Sequence, residues 1–198
     1  MCSSDLFLDI FSRKVVGWAV YENELSDLAA DVLRDVCARE KIQPGQVVLH
    51  SDNGNPMKGA SMLAMMQELG VARSLSRPAV SNDNAYSESQ FRTLKCHPTY
   101  PQAPFASLTQ ARAWVAQFVS WYNDEHRHSG IGFVTPSQRH AGIDIDILEH
   151  RKQVYAQARL RNPNRWSTAT RDWTRINVVH LNPAKSDAAA RRQIQRSA

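Results

Sequence analysis

The sequence is poor in cysteine and has no long apolar run. Its three cysteines, Cys2, Cys37 and Cys96, are odd in number and far apart, which argues against a disulfide framework and a cysteine-based metal site. The apolar runs are far shorter than the roughly 20 residues that a bilayer-spanning helix needs. Residues 1–6 show no basic segment followed by an apolar stretch, so no secretory signal is visible. We therefore expect a cytoplasmic protein with free thiols.

Acidic residues are scarce in the last quarter of the chain. Residues 151–198 carry 11 Lys and Arg but only 2 Asp and Glu, whereas residues 1–150 carry 13 and 17. This asymmetry predicts a body followed by a basic arm that could lie along phosphates, although a solvated tail has the same composition. The arm interleaves arginines with tryptophans, as DNA-binding extensions do: Arg159, Arg161, Arg165, Arg171 and Arg175, with Trp166 and Trp173.

Strand patterns and amphipathic helix patterns alternate along the chain. The pattern predicts a β-hairpin, then helix, strand, helix, strand and two longer helices, over residues 6–10, 15–20, 25–36, 47–50, 62–69, 71–75, 84–95 and 107–123. Asn23 is a candidate cap for the first helix. Later segments predict a short helix beginning near residues 135–136, a helix over 145–161 and a strand over 178–181. Strands alternating with helices predict an α/β sheet layered by helices.

Two carboxylates stand out by position. Asp52 follows directly after a predicted buried strand, where α/β sheets place their sites. Glu88 lies in the first turns of a later helix, and Arg92 and Lys95 follow it at the spacing of one helical face. A carboxylate flanked by cations suits a site that holds a divalent metal and guides a phosphate backbone. Taken singly, Asp52 is equally an ordinary turn residue, and Glu88 with Arg92 an ordinary surface ion pair.

Several ordered motifs carry a family resemblance. Residues 50–54 (His-Ser-Asp-Asn-Gly) and 81–95, which begin Ser-Asn-Asp-Asn-Ala-Tyr-Ser-Glu-Ser, resemble the second and third acidic motifs of the retroviral-integrase type (DDE) insertion-sequence transposases. Residues 8–18 resemble the second strand of the same catalytic core, and residues 122–136 resemble the block after it. The closing stretch, 162–183, resembles the tail of bacterial insertion-sequence members.

The resemblance implies a fold, a cofactor and site residues. The fold is α/β and ribonuclease-H-like, a mixed five-stranded sheet with helices on both faces, here with the first strand missing. Asp52 and Glu88 are implied as catalytic metal ligands, Lys95 and Arg92 as DNA-contacting cations, and Asn84 as a polar DNA-binding residue at the entrance to the helix. The implied cofactor is Mg²⁺ (or Mn²⁺), with two ions in the intact site.

The resemblance also implies partners and domain limits. The implied partners are DNA, as transposon ends and target, and further copies of the intact protein. No membrane partner is implied, and the implied location is the bacterial nucleoid. Residues 1–6 are unlike the family and are expected to be a non-native or disordered start. Residues 7–142 form a partial integrase catalytic core, and residues 143–198 a basic C-terminal extension with a disordered end.

The implied function is metal-dependent DNA strand cleavage and transfer, that is, DNA integration and transposition. We expect this activity to be impaired because the family's first acid, on a strand before that of Asp9, is absent; Asp9 is a weak candidate to replace it. One alternative is a non-catalytic DNA-binding or regulatory transposase remnant, and another is a metal-dependent nuclease. We expect two further sets of residues to have structural roles. Four aromatic residues should pack in the core: Trp114, Phe118, Trp121 and Tyr122. His126 and His128 should cap a helix or contact phosphate.

Overall fold

Strands and helices follow one another in an α/β order. The computed structural model of the protein describes residues 3–23, 25–77 and 80–181. The strands are β1 (Ser3–Leu8), β2 (Val15–Tyr21), β3 (Val48–Ser51) and β4 (Ala72–Leu75). The helices are α1 (Ser26–Arg39), α2 (Ala60–Glu68), α3 (Ala85–Lys95), α4 (Leu108–Asp124), α5 (Pro136–His140) and α6 (Asp144–Arg161). Single turns of 3₁₀ helix lie at Pro56–Lys58, Ser81–Asn84, Ser129–Ile131 and Pro163–Arg165.

A side chain builds the turn of the opening hairpin. The carboxylate of Asp9 accepts the backbone N–H groups of Phe11 and Ser12 at 3.0 and 3.2 Å, a local bond pattern that competes with the strand ladder. Strand β1 therefore ends at Leu8, before the predicted end at residue 10. Arg13 closes the turn in the left-handed conformation, with φ of 68°, and its N–H donates to the Asp9 carbonyl at 2.7 Å.

The strands pair in two ways. Strands β1 and β2 are antiparallel, and strands β3 and β4 are parallel. Over the described ranges no hydrogen-bonded ladder joins the two pairs, so they form two two-stranded sheets. The presence of both pairing types confirms a mixed α/β class. The resemblance implied a single sheet, and among the described residues its strands form two separate pairs instead.

Helices cover both faces of the first sheet. Ala19 and Tyr21 of β2 pack with the core of α1 and α2, whereas Trp18 and Val20 pack with the core of α4. Gly17 permits the close approach of α1, because a Cβ there would lie 2.2 Å from Cγ2 of Val36. This arrangement confirms the expected helices on both faces.

The aromatic residues of α4 pack as expected. Phe118 and Tyr122 are buried, and Trp114 and Trp121 are half-buried in the same cluster. The imidazole of His97 meets the rings of Trp114, Phe118 and Trp121 edge-on at centroid distances of 6.2, 5.7 and 4.5 Å. These contacts fix the chain directly after α3 against α4.

A third core joins the end of the described chain to the body. It contains Ile131, Val134, Leu148 and Trp173. Arg139 and Asp144 form an ion pair at 3.1 Å with side chains 1% and 0% exposed, and Arg175 binds the same carboxylate at 2.7 Å. These contacts cross the predicted boundary between residues 142 and 143. No helix in the described part is long and apolar enough to span a membrane.

Three local expectations differ from the structure. Leu25, not Asn23, precedes α1 as its N-cap, and Glu24 lies outside the described residues. Residues 178–181 form no strand, because they pair with no ladder partner in the described part. Residues 3–6 of the expected disordered start are part of β1, while residues 1 and 2 and the expected disordered end, 182–198, lie outside the described ranges.

Candidate active site

Asp52 lies one residue past the end of β3. Its carboxylate is exposed, and its Oδ1 accepts the Gly54 N–H at 3.0 Å, so the turn expected from its sequence is present. A Cβ at position 54 would lie 3.0 Å from that same oxygen. Because residue 54 is glycine, no side chain at that position crowds the Asp52 carboxylate. The hydrogen bond of the turn involves Oδ1 and not Oδ2.

Hydrogen bonds tie the Asp52 loop to the end of β4. The Ser76 N–H donates to the Ser51 carbonyl at 2.9 Å, and Asn53 Nδ2 donates to the Ser76 carbonyl at 2.8 Å. The half-buried imidazole of His50 lies 2.9 Å from the Ser74 hydroxyl and 3.2 Å from that of Ser76. The two neighbouring parallel strands are thus fixed together at the edge where Asp52 emerges.

An ion pair carries the connection on toward α3. Asp83, with a side chain only 7% exposed, accepts the backbone N–H of Arg77 at 2.8 Å and binds its guanidinium in a two-pronged arrangement at 2.9 Å. This partner raises the pKa of Arg77. Because Asp83 belongs to the 3₁₀ turn that runs directly into α3, the end of β4 and the start of α3 are joined over six residues.

Helix α3 presents one charged face to solvent. Glu88, Arg92 and Lys95 are all exposed, whereas Gln90 and Leu94 are buried. The helical spacing predicted this common face. Half-buried Asn84 occupies the N-cap position, but its side chain makes no capping hydrogen bond.

The donor set suits a hard cation in type. Asp52 and Glu88 offer exposed carboxylate oxygens, the ligands that Mg²⁺ and Mn²⁺ prefer. Within residues 3–23, 25–77 and 80–181, no three His, Cys, Asp or Glu side chains lie close enough together to hold a metal. The described residues thus have the ligand type that Mg²⁺ and Mn²⁺ prefer. They supply two carboxylates on connected elements and not a complete set of metal ligands.

Comparison with known proteins identifies the family. Two family profiles, each described as an integrase core domain, match residues 6–81 and 69–136 and together cover well over half of the chain. The chain belongs to the integrase core family. The transposase of insertion sequence element IS904 from Lactococcus lactis is 31% identical over 130 residues, 65% of this chain and 51% of the relative. The transposase InsF of IS3A from Escherichia coli is 32% identical over 132 residues, 66% and 45% respectively.

Solved structures show the same fold. The catalytic core domain of BIV integrase superposes with a TM-score of 0.53 at 18% identity, covering 77% of this chain and 97% of that one. The intasome of simian T-cell lymphotropic virus, in complex with the PP2A regulatory subunit B56 gamma, gives a TM-score of 0.50 at 14% identity over 68% of this chain and 46% of that chain. The ribonuclease-H-like class is therefore confirmed. The chain spans about half the length of the curated transposases that it matches.

Asp9 of this integrase core is engaged in the hairpin turn. Besides the two backbone bonds, its Oδ2 accepts the Ser12 hydroxyl at 2.5 Å and lies 3.2 Å from Nδ1 of His140. Burial alone would raise the pKa of Asp9, but the bonds from Ser12, Phe11 and His140 outweigh burial and leave that pKa below its usual value. Nε2 of His140 lies 3.0 Å from Oε2 of Glu40 at the end of α1. Asp9 therefore belongs to a network that links the hairpin, α1 and α5.

The aromatic residues of the C-terminal arm pack inward. Trp173 is buried, and Trp166 packs on Tyr155 with ring centroids 5.9 Å apart. Arg175 binds buried Asp144, and Arg171 lies over the Phe133 ring at 4.8 Å. The alternation of arginines and tryptophans predicted DNA contacts. These four arm residues instead make packing contacts within the protein. Four arginines of the set are exposed: Arg159, Arg161, Arg165 and Arg171. Of these, Arg171 makes the ring contact just described, and the other three make no ring or ion-pair contact among the described residues.

His126 and His128 follow the end of α4, and His126 packs on it. His126 stacks on Tyr122, and His128 accepts the Gly130 N–H through Nδ1 at 3.1 Å at the start of a 3₁₀ turn. The capping role expected for this pair therefore holds for His128. Desolvation, with Arg13 and His126 nearby, lowers the pKa of His128 to about 4.

Sequence reasoning gave no role to two residues beside the candidate site. The Arg13 guanidinium lies 3.9 Å from the ring centroid of Tyr86, and the Tyr86 hydroxyl donates to the His180 carbonyl at 3.1 Å. One signal was available: Tyr86, Gln90 and Leu94 recur every four residues on the face of α3 opposite Glu88. The partners of Tyr86 are distant in sequence and leave no local pattern.

Proposed function

We propose that this chain is the catalytic-core part of an insertion-sequence transposase that binds DNA and takes part in metal-dependent strand cleavage and transfer. In this proposal Asp52 and Glu88 are the metal ligands. The observation that carries it is a connection between the two carboxylates in a chain of the integrase core family. The neighbours of Asp52, Ser51 and Asn53, bond to Ser76, and the next residue, Arg77, binds Asp83 at the start of the helix of Glu88.

The chemistry needs oxygen ligands on a rigid frame. Bound divalent ions would activate the attacking hydroxyl or water and stabilise the leaving oxygen of the scissile phosphate. The chain's own contribution is positional: the β3–β4 bonds hold Asp52 at the sheet edge, and α3 presents Glu88. Arg92 and Lys95, on the same exposed face, provide cations for the phosphate backbone, and Asn84 provides a polar group beside them.

The proposal includes partners and a place of action. The ligand is DNA, as transposon ends and target, and the intact protein works as a homo-oligomer. A bacterial DNA ligand would place the protein at the nucleoid, in the cytoplasm. The three exposed arginines at the end of α6 and in the turn after it offer further phosphate contacts.

Metal binding tests the assigned ligands directly. Mn²⁺ is titrated into the full chain and followed by electron paramagnetic resonance, for the wild type, Asp52→Asn and Glu88→Gln. We expect each substitution to weaken Mn²⁺ binding by at least about tenfold. Glu68→Gln, which changes an exposed carboxylate of α2, is the matched control and should bind as the wild type does. Equal affinity in all four proteins would rule out the assigned ligands.

DNA binding tests the cations of α3. Affinity for a short duplex is measured over a range of salt concentrations. Arg92→Gln and Lys95→Gln should each weaken binding and lower the salt slope by about one, because each removes a phosphate contact. Lys41→Gln changes an exposed lysine after α1 and serves as the control.

A non-catalytic DNA-binding or regulatory function is the second candidate. The exposed Arg159, Arg161 and Arg165 favour it. They lie apart from the carboxylates in sequence, and in the described part of the chain they make no contacts of the kind found for Arg171 and Arg175. It predicts that Arg159→Gln and Arg161→Gln weaken DNA binding. Asp52→Ala, Glu88→Ala, Arg92→Gln and Lys95→Gln would leave DNA binding unchanged.

A further inference from the structure

Tyr86 joins three separate segments at the start of α3. Its ring lies under the Arg13 guanidinium of the hairpin turn, 3.9 Å from the ring centroid. Its hydroxyl donates to the carbonyl of His180 at 3.1 Å. The helix has no side-chain N-cap of its own, and among the described residues these contacts add to the Arg77–Asp83 connection in holding its first turn.

The orientation of α3 determines where Glu88 points. Successive helical residues are about 100° apart, so Tyr86 and Glu88, two positions apart, lie on nearly opposite sides. Tyr86 is half-buried and Glu88 is exposed, as this geometry requires. Any rotation of the first turn that moves the Tyr86 ring therefore moves the Glu88 carboxylate by a comparable angle.

The other end of α3 is already fixed. Leu94 is buried, and His97 lies among the rings of α4, with Trp121 at 4.5 Å. The first turn, which carries Glu88, lies at the opposite end, about one and a half helical turns from Leu94. Tyr86 and Ser87 are the half-buried residues of that turn, and Tyr86 is the one with a ring.

Both partners of Tyr86 are themselves held. The backbone N–H of Arg13 donates to the Asp9 carbonyl. The buried Nε of the Arg13 side chain has no hydrogen-bond partner in the described part of the chain. The guanidinium instead lies against the face of the Tyr86 ring. On the other side, Arg175 binds buried Asp144 and the Ile176 carbonyl accepts Arg139 Nη2 at 2.5 Å. The segment that reaches His180 is thus anchored four residues earlier.

We propose that Tyr86 is a positioning residue for Glu88, held between Arg13 of the hairpin and the His180 carbonyl of the C-terminal segment. This inference rests on the proposed metal-ligand role of Glu88. It assigns the C-terminal segment, residues 173–180, to the support of the active-site helix through a contact that does not itself touch metal or DNA.

The test separates ring, hydroxyl and cation. Tyr86→Phe keeps the ring against Arg13 and removes the bond to His180, Tyr86→Leu removes both contacts, and Arg13→Met removes the cation. Two quantities are measured on the full chain: Mn²⁺ affinity, and hydrogen exchange of the amides of residues 89–92, which bond to the carbonyls of the first turn. Tyr86→Leu and Arg13→Met should speed exchange there and weaken Mn²⁺ binding by about tenfold. Tyr86→Phe should show a smaller effect in both.

The outcomes distinguish this inference from the proposed function. If Glu88→Gln leaves Mn²⁺ affinity unchanged, the metal-ligand proposal fails, whereas the exchange data still report whether Tyr86 orders the first turn. If Glu88→Gln weakens Mn²⁺ binding but Tyr86→Leu and Arg13→Met do not, the positioning role is overturned. Unchanged exchange at residues 89–92 overturns it as well. Should Tyr86→Leu fail to fold, Arg13→Met and Tyr86→Phe carry the same comparison.

Discussion

Asn123 of α4 pairs with Val15 of β2 in the way that a neighbouring strand would. The Val15 N–H donates to Asn123 Oδ1 at 2.9 Å, and Asn123 Nδ2 donates to the Val15 carbonyl at 3.0 Å, both in the buried interior. A single side chain thus satisfies both backbone groups of Val15 at the start of β2, an edge strand. Further along the strand, Arg39 and Arg112 donate to the carbonyls of Val16 and Val20.

Replacing Asn123 should therefore destabilise the protein. Asn123→Leu leaves a buried N–H and a buried carbonyl unpaired, and we expect the free energy of unfolding to fall by about 2–4 kcal/mol. Urea denaturation measures the change. Gln117→Leu, at an exposed position of the same helix, is the control and should stay within about 0.5 kcal/mol of the wild type.

The buried ion cluster should be sensitive to loss of its one anion. Asp144→Asn leaves the guanidinium of Arg139, itself 1% exposed, without its carboxylate and removes the second contact to Arg175. Breaking a buried pair in this way costs about 3–5 kcal/mol. Asp146→Asn changes an exposed acid two residues along α6 and should be nearly neutral. Equal stability of the two variants would show that the cluster contributes nothing.

Stability should depend on the protonation of His128. Its pKa in the folded protein is lowered to about 4 from 6.5, first by desolvation and then by Arg13 and His126. The unfolded chain binds this proton more readily, so the free energy of unfolding should decrease as the pH falls from about 6.5 to 4 and the decrease from this group should end near pH 4. Protonation at Nδ1 would also break the bond from the Gly130 N–H.

Denaturation of the wild type and His128→Asn at several pH values measures this slope. The variant should show a weaker dependence between pH 6.5 and 4. His150→Asn, on the exposed side of α6, should retain the dependence of the wild type. A slope that survives His128→Asn would assign the effect to another group.

Gly17 should not tolerate a side chain. Gly17→Ala places a methyl group 2.2 Å from Cγ2 of Val36, so α1 must move away from β2. Such overpacking costs about 1–3 kcal/mol. Adding Val36→Ala removes the colliding group, and the double variant should be more stable than the sum of the two single changes predicts. Additive effects would mean that the strain is relieved elsewhere.

The order of elements followed from local pattern. Hydrophobic periodicity predicted the hairpin, strands β3 and β4 and the helices α1 to α4, because each element's own residues determine which face is apolar. Capping chemistry predicted the start of α5, where Thr135 and Gln138 form a reciprocal capping box. The limits shifted where a side chain intervened, as when Asp9 ended β1 early to build the turn.

The candidate site was predicted in part. Asp52 and Glu88 were identified by position and by family likeness, and their roles as metal ligands remain predictions. The C-terminal arm differs most from its prediction. Composition predicted a DNA-contacting extension, whereas Trp173 belongs to the third core and Arg175 binds the buried Asp144. Composition could not reveal this, because an arginine that binds DNA and one that binds a buried aspartate have the same sequence signature.

By itself, the sequence determined the class of fold, the family and the common exposed face of Glu88, Arg92 and Lys95, since these depend on motifs and periodicity within single segments. Only the tertiary structure decided which distant residues meet: Asn123 with Val15, and Tyr86 with Arg13 and His180. Such contacts join residues up to 108 positions apart. They depend on how complete elements pack, and no local pattern in the chain encodes that packing.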